Sequence, residues 1–177
     1  MTHPKNVLLI ALSVCIFIVL LQPCFAQDQS LFVSGVDLMI GMSQTNVLEK
    51  LMEYASVDKL PNLSGAYFIK ERKGENSPIL GMVHFENGRL MMITKDWYNG
   101  YDAKGYEIAE VLQSILAQME QRGLTVATIS TRATREPGYT LQTIMLRFPR
   151  NRQIGIYINQ QSGQQKSLQI TESLSAK

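Results

Sequence analysis

Two histidines, His3 and His84, and two cysteines, Cys15 and Cys24, are all the imidazole and thiol that the 177 residues supply. A zinc centre needs three or four His, Cys or carboxylate ligands brought together, and a nucleophile needs a base within reach. No HExxH or CxxC spacing occurs, and neither does GxSxG, a P-loop or GxGxxG. His84 stands between Val83 and Phe85 in an apolar run, where a packing role outweighs a catalytic one. Glu107 and Glu110 fall on the polar side of a helical pattern, and solvation accounts for them. The sequence therefore predicts no catalytic residue, no metal, no cofactor and no enzymatic activity.

What remains is the chemistry of recognition. Arginine presents a planar fork of donors suited to carboxylate and phosphate. Arg132, Arg135, Arg147, Arg150 and Arg152 cluster around two turns of the C-terminal half. They read either as a face for anionic lipid or an acidic protein, or as a solvated rim that protects sheet edges. The net charge of +2 excludes a strongly basic nucleic-acid binder. That small figure conceals two stretches of opposite sign. Residues 27–121 carry 13 acidic and 8 basic side chains (−5), whereas residues 122–177 carry 8 basic and 2 acidic (+6). Trp97, Tyr98, Tyr101 and Tyr106 form the other candidate interaction surface, because tyrosine and tryptophan dominate interface hot spots. The competing reading places Trp97 at the edge of the core, with the tyrosines packed over a loop.

Positioning these groups falls to two amphipathic helices and several strands. Ser43 caps a first helix, with Met42 and Val47 as a hydrophobic staple and Val47, Leu48, Leu51, Met52 and Ala55 on one face. Strands are expected at 66–69, 79–86 and 89–95. Asn87-Gly88 closes the last pair as a two-residue hairpin, and Glu71 to Asn76 forms an exposed turn. In that register Glu86 faces Arg89, Phe85 faces Leu90 and Val83 faces Met92. A second helix runs from a cap at Asp102 to a stop at Gly123, with Ile108, Val111, Leu112, Ile115, Leu116 and Met119 as its apolar stripe. Strands then follow at 124–132, 140–148 and 154–159, with a short last one at 168–170 and a frayed tail over 173–177. The order predicts an α+β fold with antiparallel sheets, helix-βββ followed by helix-βββ.

Val7 to Leu21 is an uncharged apolar run of 15 residues. Lys5 precedes it and Pro23-Cys24-Phe25-Ala26 follows, which is the layout of a secretory signal cleaved after Ala26. The mature chain of 151 residues would contain no cysteine and hence no disulfide. Lipidation at Cys24 and an uncleaved N-terminal anchor are the alternatives. The organisation read from the sequence is a signal at 1–26, a unit at 27–100 and a second at 101–177, the two units able to form one continuous domain. Export predicts a periplasmic or outer-membrane-associated location.

Leu38-Met39-Ile40-Gly41-Met42-Ser43 leading to Val47 and Leu51, and Ile79 to Leu90 around Asn87-Gly88, resemble the SmpA/OmlA (BamE-like) family. The match spans about residues 36–97. The resemblance implies a small bacterial envelope protein that serves as an accessory scaffold in outer-membrane assembly. The related β-lactamase-inhibitor-protein fold repeats a similar unit in tandem and binds enzymes through its sheet. The expected function is an exported binding or scaffold module whose partner is another envelope protein. The alternative is a secreted or periplasmic enzyme inhibitor acting through a sheet face. The second half resembles a diverged second copy only in its order of elements.

Overall fold

The computed structural model describes residues 29–72, 77–101 and 105–176. The signal-like segment, the tip of the 71–76 turn and the cap expected at Asp102 lie outside the described residues. An initial hairpin, β1 (Ser30–Val33) and β2 (Val36–Met39), precedes helix α1 (Gln44–Tyr54). Four strands follow: β3 (Ser56–Lys59), β4 (Ala66–Lys70), β5 (Ile79–Glu86) and β6 (Arg89–Tyr101). Helix α2 (Gly105–Gln121) then leads into β7 (Thr128–Glu136), β8 (Tyr139–Arg147), β9 (Arg152–Gln161) and β10 (Ser167–Ser175). Strands β3 to β10 form one sheet in the order 3-4-5-6-10-9-8-7, and every pairing is antiparallel. The fold is therefore α+β with two helices, and each helix precedes a four-stranded meander. The two meanders join through their last strands, β6 and β10.

Local chemistry explains the ends of the helices. Ser43 Oγ accepts from the Asn46 N–H at 3.4 Å, and Met42 and Val47 both pack into the core behind this cap. Gly123, at φ +67°, ends α2. Its successor Leu124 donates from its N–H to the Met119 carbonyl at 2.9 Å, and the two side chains share one core. That is a Schellman stop with its apolar contact.

Two hydrophobic clusters lie on one face of the sheet. The first unites the β1–β2 hairpin and α1 with Ile69, Val83, Leu90, Ile93 and Leu174. The second sets Ile115 and Met119 of α2 against Ile154, Ile156, Leu168 and Ile170. Leu168, Ile170 and Leu174 point the same way from β10, since alternate residues share a face, so both clusters cover the same side. Fully burying one such side chain contributes about 1.5–3 kcal/mol, and among the described residues neither helix has a comparable apolar partner elsewhere.

Several expectations are corrected. The first half contributes four strands to the sheet, not three, because Ser56–Lys59 pairs with β4 although Val57 is its only strongly strand-forming residue, and the short last strand of the second half extends over Ser167–Ser175. The stretch before α1 is the β1–β2 hairpin, turned at Ser34 and Gly35, both of positive φ. Glu86 faces Arg89 and Phe85 faces Leu90 as expected, but Val83 faces Ile93, because Met91 is bulged out of the ladder. The expected loop after residue 95 continues as strand β6 to Tyr101, and the expected tail over 173–175 is part of β10. These two segments pair with one another, which a local reading does not register.

Candidate functional site

Strand β10 shows which face of the sheet is left open. From Ser167 to Ser175 it alternates half-exposed and buried at every position, so one face of the sheet is covered and the other is open. The register carries this assignment across the sheet. On the open side lie Met82 of β5, Thr94 and Asp96 of β6, Gln169, Thr171 and Ser173 of β10, Tyr157 of β9, and Thr143 and Met145 of β8. Hydroxyls, amides, thioethers and one phenol dominate this central area, and Asp96 is its one carboxylate. A Cβ at Gly155 would stand 2.6 Å from the Tyr157 ring, so the missing side chain is the shelf on which that ring rests.

Asp96 is half-buried, and burial raises its carboxyl above the ordinary range, opposed by the Gln169 amide, which donates to Oδ2 at 3.3 Å. A carboxyl whose pKa is raised on folding contributes stability below the ordinary value of 3.8 that is lost as pH rises through the raised one. Replacing Asp96 by Asn should therefore stabilise the protein at neutral pH. It should also remove Asp96's own share of the pH dependence, so that acidification from about pH 7 to about pH 4 stabilises the native chain relative to the variant. Urea unfolding across that interval is the check, and parallel curves for the two proteins would contradict it.

The covered side holds a polar seam between the two clusters. The Arg152 guanidinium donates through Nη1 to Glu172 Oε1 and through Nη2 to the Ser30 carbonyl. Trp97, bulged out of the β6–β10 ladder, donates from Nε1 to Glu172 Oε2 at 3.0 Å. The Lys95 ammonium lies 3.7 Å from the centre of the Trp97 ring. Burial lowers the Lys95 pKa, Glu172 opposes that shift and Arg122 adds to it.

The structure thus separates the residues that the sequence grouped. Arg152 is 1% exposed and belongs to the interior, not to a surface. Arg147 and Arg150 are exposed at one end of the sheet, while Arg135 pairs with Thr140 at the opposite end and Arg132 with Thr143 between them. Trp97 and Tyr98 pack against the second cluster on the covered side, so they do not form the surface expected of them. The side chains of Tyr101 and Tyr106 lie outside the described ones. His84 has a ring nitrogen 3.2 Å from the Ser64 carbonyl oxygen, a structural contact. The residues of the open face were not singled out because they form no charged or aromatic run; the signal was the alternation over 167–175, the last third of which reads as tail. Comparison of the chain with protein-family models, curated proteins and solved structures finds no match.

Proposed function

We propose that this chain is a non-enzymatic binding module, exported to a bacterial envelope, whose protein partner docks on the open face of the eight-stranded sheet. The observation that carries the reading is the β10 alternation: one sheet face is covered by both helices and the hairpin, the other by nothing among the described residues. The central open area is rich in groups that hydrogen-bond without a large desolvation cost, and its Met and Tyr side chains add adaptable apolar contact. The N-terminal apolar run and the resemblance to SmpA/OmlA proteins, including a BamE-like fold, support export and an assembly role.

A photo-reactive residue at Thr171, on the open face, should cross-link to one envelope protein in intact cells. The same group at Glu110, exposed on α2, should not. Thr171→Arg should reduce the association about a hundredfold or more while leaving thermal unfolding unchanged, since a charge must be desolvated at the centre of the contact. Equal cross-linking from both positions would refute the docking face. Capture of a soluble enzyme in one-to-one ratio would replace the scaffold role by that of an inhibitor.

A further inference from the structure

The polar seam on the covered side holds more positive charge than negative and more donors than acceptors. Its cations are Lys95, Arg122 and Arg152. Lys95 stands opposite Glu172 in the β6–β10 ladder, and Arg122 follows the last turn of α2. The charge of Arg122 bears on both Lys95 and Arg152, and Asp37 offsets part of the charge at Arg152. Arg152 is ion-paired with Glu172, whereas Lys95 and Arg122 form no ion pair with any described residue. Both oxygens of Glu172 are taken, one by Arg152 and the other by the Trp97 N–H. The buried Nη1 of Arg122 and Nε of Arg152 have no acceptor, and the Lys95 ammonium rests on the Trp97 ring, 3.7 Å from its centre. Water would accept from these N–H groups, but it would not neutralise like charges gathered in a half-buried site. The carbonyl end of α2 favours a cation at Arg122 and gives no reason for a second one at Lys95.

We propose that Lys95 and Arg122 hold a phosphate group, free or as a monoester, at the rim of this seam beside the Trp97 ring. A phosphate monoester carries about −1.5 to −2 at neutral pH and three strong acceptor oxygens, which matches two uncompensated cations. A carboxylate brings a single charge and leaves one cation unbalanced. The Arg122 fork supplies directed donors, and the Lys95 ammonium acts as a point charge next to it. The ligand accepts from the Arg122 Nη1 that the fold leaves without a partner, and Lys95 keeps its contact with the ring.

Trp97 is the only tryptophan of the chain, so its fluorescence reports directly on what happens beside Lys95. Titrating the full chain with inorganic phosphate, methyl phosphate and acetate at fixed ionic strength and neutral pH tests the proposal. Both phosphates should change the emission along a saturating curve below about 10 mM, and acetate should bind about tenfold more weakly. Arg122→Gln and Lys95→Met should each weaken phosphate about tenfold. Arg122 is half-buried at a helix end, so its variant keeps the test decisive if Lys95→Met does not fold. Arg147→Gln, exposed at one end of the sheet, should leave phosphate binding unchanged. No saturable change with either phosphate, equal binding of acetate, or undiminished binding to Arg122→Gln overturns the proposal. So does a loss at Arg147→Gln as large as at Arg122→Gln, which would mark a diffuse attraction to the basic half of the chain. The seam lies on the covered side and no protein partner enters these titrations, so their failure is distinct from failure of the sheet-face reading.

Discussion

Glu172→Gln should cost about 3–5 kcal/mol of folding stability, the expected penalty for removing one partner of a buried ion pair. The Arg152 side chain is 0% exposed and that of Glu172 is 2% exposed, so water cannot take over the lost charge. The carboxylate uses one oxygen for Arg152 and the other for Trp97 Nε1. A glutamine has one acceptor oxygen for these two donors, and its amide N–H groups must face one of them. For a chain of this length the loss corresponds to roughly 10–15 °C in melting temperature. Arg152→Met/Glu172→Leu should recover most of it, because the stranded charge is gone. Full recovery is not expected, since the Trp97 N–H loses its acceptor at about 1–3 kcal/mol. Urea unfolding of the three variants tests the order: single below double, double at or below the native protein. A Glu172→Gln variant within about 1 kcal/mol of native would show the pair to be hydrated.

That ion pair also shows where sequence reading stops. The cap at Ser43, the Asn87-Gly88 hairpin and the Gly123 stop are decided by residues a few positions apart, and all three are present as read. Arg152 and Glu172 stand 20 residues apart, and only the pairing of β9 with β10 makes them neighbours. Counting arginines found the charge, but strand alternation decided which guanidinium is interior and which end of the sheet carries Arg147 and Arg150. Asn99 and Gly100 are turn formers, so 96–101 reads as a loop. Pairing with β10 overrides that preference, as tertiary context commonly does for strands. The open face was illegible for the same reason, since Thr94, Thr171, Thr143 and Tyr157 come from four strands and converge only in the assembled sheet.

Gly65→Ala should destabilise the protein by about 3 kcal/mol, and the argument separates two causes that glycine substitutions usually mix. Gly65 has φ +76°, which costs an L-residue about 1–2 kcal/mol. An added Cβ would also lie 2.2 Å from the Phe85 carbonyl oxygen, a backbone atom that cannot swing aside. The Phe85 N–H donates to the Gly65 carbonyl at 2.8 Å, so the contact is closed from both sides. Relief requires β5 to move, and Phe85 is 4% exposed with its ring edge-on to Tyr67 at 5.8 Å. Displacing packed core in this way adds about 1–3 kcal/mol. Gly88→Ala is the control, because Gly88 has φ +71° but no atom within 4 Å of the added carbon. It should lose only the conformational part, about 1 kcal/mol. Equal losses at the two positions would mean that the chain between residues 60 and 66 yields freely, and that β4 is not held against β5 by the Gly65–Phe85 contact.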